Sequence, residues 1–195
     1  MRHIGILLFD GVEELDAVGP WEVLAFWTQT FPEDNYDVCL LSADGKPVTA
    51  AKGMLLTPHT SRSEAPDFDV FLHPGGRGAR ALMVDEQHLE WMRSLRAQVP
   101  LMTSVCTGSL VYAAAGLLAD RPATSYWDSL ALLAELDPTI EVRSQERWVD
   151  DGDVVTSAGV SAGIDMALHL VRRLAGEGRA RQVRRGIQYD PQPPV

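Results

Sequence analysis

The run HIGILLF at residues 3–9 is apolar throughout, without the polar alternation of a strand that has one wet face. Such a segment suits a strand buried on both sides, the condition of a parallel sheet covered by helices. DVFLH at 69–73 and LMTSV at 101–105 share that character, and YDVCLLS at 36–42 reads as a further strand. Helix-length segments lie between them. GPWEVLAFWTQ carries Pro20 at a helix-compatible first position. DEQHLEWMRSLRAQV (85–99) sets Leu89, Met92, Leu95, Arg96 and Val99 on one stripe. TGSLVYAAAGLL follows LMTSV directly, and WDSLALLAEL (127–136) ends at Asp137-Pro138. SAGIDMALHLVRRLAG places Ile164, Ala167, Leu168, Val171 and Leu174 on one face, with Gly176 as its stop. ERWVDDGDVVTSA (146–158) is a hairpin with Asp151-Gly152 at its tip. Residues 48–58 form a short hairpin or two extended pieces, and the tail 177–195 is expected to pack as an irregular strap. This alternation predicts an open, mostly parallel α/β sheet with helices on both faces, in one domain spanning 1–195.

Composition removes several functions. A formal net charge of -10 argues against a nucleic-acid partner, because phosphate binding needs a basic surface. No apolar run approaches the roughly 20 residues that span a bilayer. The start, MRHIGILLFDGVEELD, is too short in its apolar part and too soon acidic for a secretory signal. The chain is therefore expected to be cytoplasmic, with no membrane partner. Cys39 and Cys106 are the only cysteines, so there is no disulfide framework. Together with five histidines they show no paired ligand spacing, and no metal site is expected.

In such a sheet ligands bind beyond the carboxyl ends of the strands. Three features fall on that edge. Cys106 sits between the strand LMTSV and the following helix, where helix N–H groups favour a thiolate. That position alone leaves it open between a nucleophile and a buried packing thiol. Cys39, in mid-strand, is read as packing. Gly75 and Gly76, after DVFLH, offer backbone N–H groups suited to an oxyanion site, or simply a tight turn. His73 just before them reads as a strand-end residue. Of the acids Glu13, Glu14 and Asp16, Glu13 is assigned to a solvated face. Asp16, between Leu15 and Ala17-Val18, is drawn inward, and apolar surroundings would raise its pKa.

The blocks LLFDGVEELDAVGPWEVL, FLHPGGRGAR, SVCTGSLVYAAAGLLADRPATSYW and VVTSAGVSAGIDMALHLV, in that order, resemble the ThiJ/PfpI superfamily. The resemblance covers nearly the whole chain and implies a class I glutamine amidotransferase-like fold, a flavodoxin-like three-layer sandwich. In that superfamily the cysteine at the elbow is reactive and an acid from the first loop hydrogen-bonds it; the matching positions are Cys106 and Asp16. Protease-like and glyoxalase-like members usually have histidine after the cysteine and glutamate in the first loop, where this chain has Thr107 and Asp16. The Asp, the Cys-Thr-Gly-Ser-Leu-Val block and the Ala-Gly-Ile-Asp helix start look most like isonitrile hydratases. The same block occurs in the ligand domain of AraC-type regulators, whose helix-turn-helix domain has no room here. Where relatives often read Ala-Thr-Thr-His-Trp, this sequence has Ala123-Thr124-Ser125-Tyr126-Trp127, so a Cys-His proteolytic pair is unsupported.

The resemblance implies addition of water to an isonitrile through a Cys106 thioimidate, with Asp16 as general acid and base. The N–H groups of Gly75, Gly76 and Thr107, with the Thr107 hydroxyl, would steady developing charge. Tyr126, Trp127 and Val160 are candidate pocket walls, Trp127 being equally suited to core packing. No cofactor is called for, the partner is a small molecule, and the resemblance implies a homodimer. GPWEVLAFW could serve as its surface or as a core face. Cysteine chemistry on reactive carbonyls, and a non-catalytic redox or ligand sensor, stand as alternatives.

Overall fold

The computed structural model describes residues 1–191. The chain runs β1 (Arg2–Leu7), α1 (Glu14–Thr30), β2 (Tyr36–Ser42), β3 (Val48–Thr49), β4 (Leu55–Leu56), β5 (Thr60–Ser61) and β6 (Val70–His73). It continues through α2 (Ala79–Leu82), α3 (Glu86–Gln98), β7 (Leu101–Val105), α4 (Gly108–Ala114), β8 (Pro122–Ala123) and α5 (Leu130–Leu136). The last elements are β9 (Glu141–Val142), β10 (Trp148–Asp150), β11 (Val154–Ser157), α6 (Ala162–Ala175) and α7 (Glu177–Gly186). A seven-stranded sheet has the order β10-β11-β7-β6-β1-β2-β5, parallel except for the antiparallel β10–β11 hairpin. β3 and β4 form the short hairpin expected over 48–58.

The unbroken apolar runs have a direct cause. Successive residues of a strand point to opposite faces, and both faces here are covered. Ile4, Ile6, Val70, Leu72, Leu101 and Val105 pack in one core with residues of α1, α6 and α7. Their neighbours Leu7, Phe71 and Met102 pack in a second core with residues of α3, α4 and α5. In α6 the buried residues are Ala162, Gly163, Met166, Ala167, Leu170 and Val171, so the core stripe is turned from the expected one; Ile164, Leu168 and Leu174 lie at its margin. Among the described residues no helix is long and apolar enough to cross a membrane.

Two expectations are corrected. The first helix begins at Glu14, not at Pro20, which lies inside it. Lacking an N–H, Pro20 cannot bond the Asp16 carbonyl, so one helical hydrogen bond is given up at that turn. Within GPWEVLAFW, Val23, Leu24 and Trp27 belong to the core, whereas Trp21 and Phe26 are half-buried. Residues 177–186 of the tail are the helix α7 rather than an irregular strap. Gly176, at φ 92°, breaks α6 and redirects the chain. Val183 then enters the core, and Arg179 grips Asp34 with bonds of 2.6 and 2.9 Å. The remainder of the expected strap, 192–195, lies outside the described residues.

One buried contact braces the turn that follows β6. His73 Nδ1 lies 2.7 Å from the Pro74 carbonyl, and its Nε2 lies 3.0 Å from His88 Nε2 on α3. A carbonyl only accepts, so His73 carries its proton on Nδ1 and accepts at Nε2 from His88. Burial pushes His73 down to about 3 and His88 down to about 4. Both imidazoles are expected to stay neutral in the folded protein to about pH 5, read by their 15N chemical shifts. The unfolded chain binds these protons from its ordinary histidine range downward. Each histidine therefore subtracts about 1.4 kcal/mol of stability per pH unit below ~6.5. Protonation of either ring in the native state at pH 6 would contradict the pairing.

Candidate active site

β7 ends at Val105, and Cys106 follows with φ 58°, a left-handed backbone that side chains rarely adopt. Both of its backbone groups are tied. The Cys106 N–H donates to the Ser157 and Ala158 carbonyls at 3.1 and 3.3 Å. Its own carbonyl accepts from Ser109 Oγ at 3.1 Å and Ser125 Oγ at 3.0 Å. These bonds hold a strained elbow that aims the sulfur away from the strand line. Gly108 lies so close to the His73 carbonyl that a Cβ would overlap it, and a Cβ on Gly75 would meet the Thr107 nitrogen. The glycines in HPGG and CTGS thus let two loops touch at backbone distance.

That touching loop brings in the acid. Asp16 sits in the first turn of α1, not in a loop, and is fully buried. Its Oδ2 accepts from the Gly75 N–H at 3.0 Å, while Oδ1 has no well-formed hydrogen bond. The carboxyl contacts Cys106, and the Val160 N–H faces both groups. Val160 itself is β-branched at φ 54°, a second strained backbone in the same place. Burial pushes the Asp16 carboxyl up to about 7, against the hydrogen bonds from Cys106 and Gly75 that oppose it.

Burial, reinforced by the charge of Asp16, pushes the Cys106 thiol up to about 12. The sequence led us to expect the opposite. α4 is only seven residues long, and the Thr107 N–H beside the sulfur does not outweigh desolvation. The two groups titrate as a pair that shares one proton around neutral pH.

The glycine turn is a brace rather than an open donor set. The Gly75 N–H is engaged by Asp16, and the Gly76 N–H donates to Thr107 Oγ1 at 2.9 Å. The Thr107 hydroxyl in turn donates to the Gly76 carbonyl at 3.3 Å. The expected role of these N–H groups and of that hydroxyl in steadying charge meets groups already satisfied. The N–H groups that face the sulfur are those of Thr107 and Val160.

Above Cys106 opens a cleft of about 460 Å³ whose walls include Thr107, Gly76, Tyr126 and Val160. Trp127 is not part of it. Its side chain is 71% exposed beside Tyr126, neither in the cleft wall nor in the core. Glu13 lines the cleft instead of a solvated face, and is ion-paired to Lys52 from the β3–β4 turn. Arg77, Arg80 and Ser129 complete the lining and were not singled out from the sequence. For the arginines a signal existed, since GGRGAR places them directly after the turn. For Ser129 the signal was its place three residues after Tyr126, whereas for Lys52 there was none, because only tertiary folding brings it near. Among the described residues no histidine lines the cleft, and His73 is sealed behind the turn. Cys39 lies apart on β2, its thiol pushed up to about 11 by burial. Among the described residues no group of three His, Cys, Asp or Glu side chains is clustered to hold a metal.

Comparison with known proteins places the chain in a family. The chain is 43% identical over 192 residues to the isonitrile hydratase of Pseudomonas putida, covering 98% of this chain and 80% of that one. It is 32% identical to the HTH-type transcriptional regulator GbdR of Pseudomonas aeruginosa over 90% of this chain, but spans only 47% of the regulator. A solved ThiJ/PfpI family protein from Pseudomonas syringae superposes with a TM-score of 0.87 at 31% identity, over 100% of this chain and 77% of that chain. Drosophila melanogaster DJ-1beta shares the fold at a TM-score of 0.82 and 23% identity, over 97% and 98% of the two chains. With the DJ-1/PfpI family model matching residues 2–173, the chain belongs to the DJ-1/PfpI (ThiJ/PfpI) family.

Proposed function

We propose that the protein is a cysteine-dependent hydro-lyase that adds water to an isonitrile and releases an N-substituted formamide. The observation that carries this reading is the Asp16 carboxyl, buried against Cys106 with no imidazole in the cleft. A thiol with a histidine would suit acyl transfer, which needs a leaving group protonated. An isonitrile has no leaving group. Its terminal carbon must accept both a nucleophile and a proton, and a thiol next to a shuttling carboxylate supplies both. The likeness to an isonitrile hydratase supports the same reading.

In the proposed cycle Asp16 takes the Cys106 proton as sulfur bonds to the isonitrile carbon, then delivers that proton to the same carbon. The product of this step is a thioimidate. Water adds to the C=N bond, one proton passing through Asp16 to nitrogen. Collapse of the tetrahedral adduct breaks the C–S bond, leaves the formamide and returns sulfur as the leaving group, reprotonated from the hydroxyl by way of Asp16. The sum is one isonitrile and one water in, one formamide out. The Thr107 N–H stabilises negative charge on sulfur, and Thr107 Oγ1 holds the turn that orients Asp16. We assign the protein to the cytoplasm. We also expect it to act as a homodimer, for which Met54 and Leu55, 52% and 72% exposed on the β3–β4 hairpin, supply apolar surface.

Formamide production from an alkyl isonitrile tests the proposal directly. Cys106→Ala is expected to abolish turnover, and Asp16→Asn to lower kcat/KM by about 10²–10⁴. Turnover surviving in Cys106→Ala would remove the covalent route. Lactate from methylglyoxal in its place would favour carbonyl chemistry, and silence on both substrates a sensor. The pair is active when it holds a single proton, so kcat/KM should climb about tenfold per pH unit up to about pH 7 and then level. A profile already flat at pH 5 would be incompatible with Asp16 as the shuttle.

Stability gives a separate reading. The folded pKa of Asp16, about 7, lies above the ordinary aspartate value of 3.8. Its contribution is thus fully present below about pH 4 and is lost as pH rises through 7. Asp16→Asn is expected to stabilise the protein by roughly 2–4 kcal/mol at pH 8. That gain should vanish near pH 4. Denaturant unfolding of both forms at the two pH values measures it, and an Asn variant less stable than the parent at pH 8 would contradict the burial cost.

A further inference from the structure

The cleft over Cys106 is basic, although the chain as a whole carries a net charge of -10. Its ionisable wall residues, besides Cys106 and Tyr126, are Lys52, Arg77, Arg80 and the single acid Glu13. Lys52 is already paired with Glu13 and Glu14. Arg77 and Arg80 have no ion pair, no side-chain hydrogen bond and no ring contact among the described residues. Of the acids nearby, Asp10 accepts from the Thr49 N–H at 2.8 Å, and Asp16 is held by Gly75. A second observation lies in the same cleft. Ser129 is 1% exposed, and its Oγ has no hydrogen-bond partner. A buried hydroxyl without a partner is unfavourable, and an acceptor on a bound molecule relieves it.

We propose that the cleft selects substrates bearing an anionic group, a carboxylate on the substituent of the isonitrile, held by Arg77 and Arg80 and by the Ser129 hydroxyl. The choice of an isonitrile rests on the function proposed above; the anion selection rests on the cleft alone. A hydrocarbon substituent would leave two guanidinium groups and one buried hydroxyl unmatched. A carboxylate matches the planar fork of arginine and accepts from a hydroxyl as well. On an otherwise acidic surface, two unpaired arginines also draw anions toward this opening.

Two measurements on the purified protein decide the matter. The first compares kcat/KM for isocyanoacetate with that for its methyl ester, which has the same reacting group without the charge. The carboxylate is expected to be favoured by about tenfold or more, chiefly through KM, with the ratio shrinking as salt rises. In Arg77→Ala/Arg80→Ala the ratio should fall toward one, and Ser129→Ala should raise the KM of the carboxylate several-fold. The second needs no turnover: alkylation of Cys106 by iodoacetate against iodoacetamide, read at the Cys106 peptide by mass spectrometry. The iodoacetate-to-iodoacetamide ratio should drop about tenfold in the double variant. An unchanged alkylation ratio, or an ester used as well as the carboxylate, overturns the anion site. A dropping ratio without turnover of either isonitrile upholds the anion site and removes the hydration reading instead.

Discussion

A carboxyl group buried without a cation is the arrangement around which this molecule is built. Asp16 is sealed from solvent, and its single well-formed hydrogen bond comes from the Gly75 N–H. Water would solvate that carboxylate far better than the protein does, so the native state holds it at a cost. The return is a group that gains and loses a proton near neutrality beside a sulfur that cannot ionise unaided. Neither residue would have this property alone. An exposed aspartate would stay charged, and an exposed thiol would need no partner.

The sheet makes such a placement possible. β6 and β7 are parallel neighbours, so their carboxyl ends emerge side by side and their loops meet. Glycines at 75 and 108 let backbone lie against backbone, and the Glu13 N–H closes the third loop onto the Gly75 carbonyl at 2.9 Å. The left-handed backbones of Cys106 and Val160 are tolerable only because neighbours fix them from both sides. The site is therefore rigid because its strain is spread over hydrogen bonds that belong to several strands.

The imidazoles of the molecule sit elsewhere. His73 precedes the glycine turn by one residue, yet it faces the second core and pairs with His88. Tyr126 stands in the cleft wall, against Gly159, with no room for a side chain between them. Glu13, Arg77 and Arg80 line the same cleft.

Much of this was legible in the chain itself. Unbroken apolar strands can be buried only on both faces, so HIGILLF, DVFLH and LMTSV specified a parallel sheet between two helical layers. The same pattern placed Cys106 and the Pro74-Gly75-Gly76 turn on one edge, because that edge follows from strand direction. The flanking apolar residues marked Asp16 as the inward acid. What the sequence could not reveal were quantities and pairings that depend on distance. Whether Cys106 leaned toward thiolate depended on burial against a helix end, and burial won. Gly75, Gly76 and Thr107 carry donors whatever their surroundings, and only the folded loops engaged them with one another and with Asp16. Trp127 looked like a wall or a core residue and is on the surface, while Lys52 joined the cleft from a hairpin remote in sequence. Local patterning decides which face of a strand or helix is apolar, since that is a property of neighbouring residues. Which polar groups meet, and how much water is left between them, is decided by contacts across tens of residues that only the tertiary structure creates.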